Sequence, residues 1–195
     1  MVADPRELRR RLSTVAATQS GYFTAAQALA VGYSYPQQKF HVDHGSWLRV
    51  DRGIFRLPDW PVGPHDDLVR WDLWSKGRAV VSHMTALGVH DLGEFEPASV
   101  DLTVPLSFRA RDPHVVLHRA ALEPDDTRRQ GGFSVTTPLR SLIDVAAIGV
   151  DEDQLGRAIQ EARDSGQITL RKLRERAETV DARAALRIER AIGSL

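Results

Sequence analysis

The stretch SYPQQKFHVDHGSWLRVDRGIFRL, residues 34–57, decides how this chain is read. Ser34 is a helix cap, Pro36 sits just inside the helix that follows, and Gly45 ends it after His44. Trp47-Leu48-Arg49-Val50 and Ile54-Phe55-Arg56-Leu57 are strand-like runs of β-branched and aromatic residues. Between them, Asp51-Arg52-Gly53 is a short loop ending in the residue that tolerates positive φ. A hairpin placed directly after a helix is the sequence form of a wing. Its alternation is expected to present Arg49, Arg52 and Arg56 while burying Leu48, Val50 or Phe55.

Working back toward the N-terminus strengthens this reading. Thr24 caps a helix of about two turns, Ala25 to Ala30, closed by Gly32. Before it, Asp4 caps and Pro5 opens a helix with Leu8, Leu12, Val15 and Ala16 at helical spacing, stopped at Gly21. A short helix, a glycine-containing turn and a second capped helix form a helix-turn-helix. Residues 1–60 are therefore expected to be a winged helix-turn-helix.

Working forward, Pro58-Asp59-Trp60-Pro61-Val62-Gly63-Pro64 reads as a linker or domain boundary. Past it, 66–76 looks helical, and 79–81, 100–104, 115–117 and 133–136 look like strands. From Pro138 on the pattern is helical, with starts at Asp151 and Thr169 and a last helix over 183–192. The expected fold is α/β (α+β), with a mixed α/β C-terminal domain over 61–195 that ends in a helical tail.

Composition sets the bounds. The chain has 195 residues and no cysteine, which excludes disulfides and thiolate metal sites and points to a reducing cytoplasm. No apolar run reaches the ~20 residues of a membrane span, and the first residues carry no secretory h-region. Net charge is zero, but residues 1–60 hold eight Lys/Arg against five acids, so the basic excess lies with the helix-turn-helix.

In such a motif the start of the second helix reaches base edges, here Ser34, Tyr35, Gln37, Gln38 and Lys39. Glutamine pairs at two points with adenine, and lysine reaches guanine or phosphate. Phe40 is expected to anchor this helix in the core, with His41 and His44 at the DNA backbone or turned sideways. Arg49, Arg52 and Arg56 would hold phosphates, joined by Arg10 in the basic turn Arg9-Arg10-Arg11.

Enzyme signatures are weak. There is no Gly-x-Ser-x-Gly elbow and no phosphate loop with its lysine. Gly45-Ser46 lacks the paired acids of a nucleotidyltransferase, and Asp101 is alone in its strand without the carboxylates and lysine of a nuclease. His41 and His44 have no third ligand nearby, and His114 and His118 lie about 13 Å apart along a strand at ~3.3 Å per residue. No enzyme activity, cofactor or metal is therefore expected. Asp125 to Arg129 reads as a solvated loop, and Trp60, Trp71 and Trp74 as core or interface.

Several segments resemble a known family. Gly32-Tyr33-Ser34, Phe40-His41-Val42, Trp47-Leu48-Arg49-Val50 and Arg52-Gly53-Ile54-Phe55-Arg56-Leu57 resemble the N-terminal winged-helix domain of AbiEi-type antitoxins. Val81-Ser82-His83, Thr136-Thr137-Pro138-Leu139-Arg140-Ser141-Leu142-Ile143-Asp144-Val145-Ala146 and Gly166-Gln167-Ile168-Thr169-Leu170 extend the resemblance through the C-terminal half. It implies an autorepressor that binds operator inverted repeats in double-stranded DNA, as a homodimer if each repeat takes one copy. It also implies a cognate nucleotidyltransferase-like toxin, countered directly or indirectly through the C-terminal domain. Gln37 and Gln38 stand where members of that family often carry arginine or an apolar residue. The alternative is a plain transcriptional regulator whose C-terminal domain senses a ligand or dimerises. Leu186 and Ile192 in the last helix suit a dimer face and a core equally well.

Overall fold

A computed structural model describes residues 4–194. The chain divides into two compact units, 1–78 with 129–133, and 79–128 with 134–195.

In the first unit, α1 (Pro5–Ala17) starts at Asp4, whose side chain accepts from the Arg6 N–H. A three-residue strand, β1 (Tyr22–Thr24), leads directly into α2 (Ala25–Val31). After the turn at 32–34 comes α3 (Tyr35–Asp43). Both short helices open with reciprocal capping boxes, Thr24 with Gln27 and Ser34 with Gln37, which satisfy backbone donors that a two-turn helix cannot pair internally. Next, β2 (Leu48–Asp51) and β3 (Ile54–Arg56) form an antiparallel hairpin that turns at Gly53, φ +72°. Strand β3 also pairs with β1, giving the order β1-β3-β2 and setting Phe23 opposite Phe55. Leu8 and Leu12 of α1 close over Phe23, Tyr33, Trp47 and Phe55 to make the core.

Strand β1 escapes sequence reading because three residues cannot display a period of two. Phe40 is also misread there: it is 56% exposed and stacks on His44, while Gln38, two positions earlier and so about 200° away around the helix at ~100° per residue, faces the interior. On the hairpin, Leu48 is exposed and Phe55 is buried.

The proline-rich segment 58–64 is not the boundary. Arg56 Nη2 donates to the carbonyls of Trp60 and Pro61 at 3.2 and 3.0 Å and lies 3.6 Å from Asp66, which ties the segment back to β3. The Trp60 ring packs against Gly21, where a Cβ would come within 2.4 Å of it and φ is +83°. The unit then continues through a 3-10 turn (Asp66–Leu68) and α4 (Val69–Trp74), burying Leu68, Val69 and Trp71. Trp71 meets Trp74 edge to face, so two of the expected three tryptophans share a contact here. The segment 129–133 is held in this unit by Arg129 on Asp72 (3.1 Å) and by Ser20 Oγ donating to the Gly131 carbonyl.

The second unit is built on the short strand β4 (Val80–Val81), flanked by β5 (Val100–Val104) antiparallel and β8 (Phe133–Thr136) parallel. Beyond β5 lies β6 (Val115–Arg119), parallel to it, and β7 (Thr127–Gln130) completes the order β6-β5-β4-β8-β7. Helix α5 (His83–Val89) follows β4, and α6 (Pro138–Ile148), α7 (Glu152–Asp164), α8 (Leu170–Val180) and α9 (Ala182–Gly193) form the tail. Thr137, Asp151, Thr169 and Asp181 each cap one of these through a side-chain oxygen. Leu142, Ile143, Leu155, Ile159, Leu173 and Ile188 are fully buried among them. Leu186 is 55% exposed whereas Ile192 packs on this core, which separates the two residues paired in the sequence reading.

The expected loop at 125–129 is in fact a 3-10 turn (Pro124–Asp126) running into β7. Asp126 is buried because Arg140 Nη1 (2.7 Å), Arg176 Nη2 (3.0 Å) and the Glu123 N–H (3.0 Å) all donate to it. The fold is thus α/β, and no helix among the described residues is long and apolar enough to cross a membrane.

Candidate nucleic-acid interface

The residues expected to read or hold DNA separate into three groups. The first points outward. Tyr35 on α3 is 65% exposed, and Lys39 is exposed one turn on, engaged in an ion pair with Asp43. Arg49 and Arg52 are exposed on the hairpin, Arg49 with its guanidinium 5.9 Å from the Phe55 ring centroid and Arg52 at the turn. Phe40 joins this face, although hydrophobicity alone assigned it to the core. A helical wheel centred on buried Gln38 would have placed it outside.

A second group is exposed but already occupied. Ser34 Oγ caps α3 and donates to Gln37 Oε1 at 2.9 Å, and that same Oε1 accepts from the Ser34 N–H at 2.8 Å. With its carbonyl oxygen committed, Gln37 has only its amide nitrogen left for a base edge, so two-point pairing with adenine requires opening the cap. Arg10 is clamped to Glu7 through Nε and Nη2 at 2.9 and 2.8 Å, with Arg11 on the same carboxylate. Hydrogen bonds from Arg10 and Arg11 hold the Glu7 carboxyl at about 2, so it stays charged and offsets part of the positive turn.

The third group faces inward and corrects the sequence reading. Gln38 is 3% exposed, and its Nε2 donates to the carbonyls of Ala25 and Tyr33, both at 3.1 Å. It holds α2 to α3 and cannot read a base. Arg56, with a side chain only 11% exposed, is spent on the 60–61 carbonyls, on Asp66 and on the face of Tyr22, so it cannot hold a phosphate. His41 is half-buried, stacked on Trp47 at 4.8 Å with its Nδ1 buried and unpartnered. Burial, then the charge of Arg9 and of His44, lowers its pKa and so disfavours the cationic form that would hold a phosphate.

The sequence reading missed what the second unit does with its histidines. His118 Nε2 is 2.8 Å from Asp101 Oδ1 and its ring lies against His83, whose Nδ1 is 2.9 Å from Ser82 Oγ. Asp101 is therefore not alone, though the strand register that sets it beside β6 is invisible in linear spacing. Among the described residues no group of three or more His, Asp or Glu is arranged to hold a metal ion.

No family model matches the chain, and no curated protein matches it. Among solved structures it is similar to the RV2827C protein from Mycobacterium tuberculosis, with a TM-score of 0.62 at 14% identity over 100% of this chain and 78% of that one.

Proposed function

We propose that the first unit is a winged helix-turn-helix that binds double-stranded DNA, with α3 in the major groove and the β2–β3 hairpin as its wing. The observation that carries this is the succession α2, three-residue turn, α3, hairpin, with Tyr35 and Lys39 outward on α3 and Arg49 and Arg52 outward on the hairpin. In this reading Tyr35, Lys39 and Phe40 meet the groove, and the two arginines hold phosphates and set the register.

Joined to the resemblance to AbiEi-type antitoxins, this makes the chain a cytoplasmic antitoxin and autorepressor. It binds operator repeats as a homodimer, and the second unit acts against a nucleotidyltransferase-like toxin. The exposed Leu186 supports α9 as a contact face.

The test is a titration of the purified protein against its own upstream DNA and an unrelated duplex at physiological salt. Tight binding confined to the upstream DNA is expected, and equal weak binding to both would overturn specific repression. Co-expression with the neighbouring open reading frame tests the antitoxin role. The expected result is growth arrest by the neighbour alone, relieved by this chain. A neighbour that is harmless alone would overturn it.

A further inference from the structure

Helix α1, helix α3 and Ser46-Trp47, just before β2, line a cleft of about 570 Å³ that shares Phe40 with the proposed DNA face. This volume falls within the ~300–1,000 Å³ range of small-molecule sites. Leu8, Leu12, Tyr33, Phe40 and Trp47 give it a mainly apolar and aromatic wall. Its charged lining residues are both cationic. Arg6 and Arg9 stand at i, i+3 on the α1 side, and no carboxylate lines the cleft. Glu7 is turned away to Arg10 and Arg11, and among the described residues neither Arg6 nor Arg9 has a side-chain ion pair. On the opposite wall is His41, whose Nδ1 is buried without a partner. A buried polar atom left unpaired costs ~1–3 kcal/mol, and a ligand atom that paired with it would remove that penalty.

We infer that this cleft binds a small aromatic carboxylate, its ring against Phe40 and Trp47, its carboxylate at Arg6 and Arg9, and a polar atom at His41 Nδ1. A DNA phosphate would suit the two arginines but would leave the aromatic wall uncovered. An uncharged aromatic would fill the wall and leave the arginines without a counter-charge. Gln37 and Phe40 belong to both this cleft and the outward side of α3, so occupancy is linked to DNA affinity. That linkage rests on the DNA-binding reading, whereas the site itself does not.

Isothermal titration with 2-naphthoate, 2-naphthylmethanol and 2-naphthylmethylamine tests the site. The carboxylate should bind, with the alcohol at least about tenfold weaker and the amine not at all. Changing Arg6→Gln and Arg9→Gln together, both on the exposed face of α1, should reduce the preference for the acid by about tenfold without shifting the thermal midpoint. Equal affinity for all three probes, an unaltered preference in the double variant, or no heat with 2-naphthoate at millimolar concentration would each overturn the site. A DNA titration with and without saturating 2-naphthoate tests the linkage. Unchanged DNA affinity while naphthoate is bound would overturn the linkage alone, and absent DNA binding both with and without naphthoate, while naphthoate itself binds, would overturn the DNA reading.

Discussion

His83 and His118 lie ring against ring in the second unit, their centroids 3.5 Å apart and their planes 17° from parallel. His83 is 6% exposed and sits at φ +51°, a left-handed backbone that a histidine rarely takes. Burial, then the neighbouring His118 and Arg140, lowers its pKa from 6.5 to about 3. Between those values the unfolded chain binds a proton that the folded chain refuses. This stabilisation is fully present above pH 6.5 and is lost as pH falls toward 3. Asp144 works the other way. Burial, partly offset by Arg140, raises it from 3.8 to about 6, so its contribution weakens as pH rises through that window.

The two windows overlap between pH 3.8 and about 6, where the proton His83 refuses and the proton Asp144 takes up nearly cancel, so the parent's stability should change little between pH 4 and pH 6. In His83→Asn, whose amide tolerates positive φ and can still reach Ser82 Oγ, only the opposing slope remains. Urea midpoints across that range should then fall as pH rises. A variant that kept the parent's slope would show that His83 does not set it.

Gln38 was expected to read bases and instead fastens two helices. In Gln38→Leu the carbonyls of Ala25 and Tyr33 lose their side-chain donor, at a cost of ~1–3 kcal/mol in unfolding free energy. The base preference of any DNA complex should stay as it was. A shifted preference with unaltered stability would return Gln38 to the interface.

The hairpin arginines differ in the same way. Arg49→Ala and Arg52→Ala should each weaken binding to all DNA and lower the salt slope by about one, because in the proposed complex each would remove one phosphate contact. Arg56→Ala should leave the salt slope alone and lower thermal stability, since it frees the 58–64 segment from β3. Salt titrations of the three variants with one duplex decide the matter. A reduced slope in Arg56→Ala would overturn its assignment to the fold.

These contrasts show what the linear chain could reveal. Caps were legible because their chemistry is local: Asp4, Thr24, Ser34, Asp151 and Thr169 all cap where expected. The hairpin was legible from Gly53 and its flanking runs. The direction in which each arginine faces was not, because Arg56 is turned inward by carbonyls at 60 and 61 and by Asp66, partners supplied by a segment that looked like a linker. Gln37 and Gln38 are adjacent in sequence and opposite in role, since a 100° step on a helix carries one from the rim to the core. Asp126 looked solvated within a charged run, and only the return of α6 and α8 brings it Arg140 and Arg176.

That ion cluster yields the last prediction. Arg140 is 6% exposed and donates to Asp126 and Asp144 at 2.7 and 2.8 Å, so its one charge is shared between two carboxylates that are themselves buried. Replacing one partner of a buried pair leaves an uncompensated charge and costs ~3–5 kcal/mol. In Arg140→Met the two acids fare differently. Asp126 keeps Arg176 and the Glu123 N–H, whereas Asp144 Oδ2 already has no partner and Oδ1 then loses its own. Asp144 can escape by taking a proton, and loss of Arg140 raises its pKa further above about 6. The destabilisation should therefore be smaller at pH 5 than at pH 8, read as the difference in urea unfolding free energy between parent and variant. An equal loss at both pH values would mean that Arg140 acts through packing, and that Asp144 is not the charge it holds.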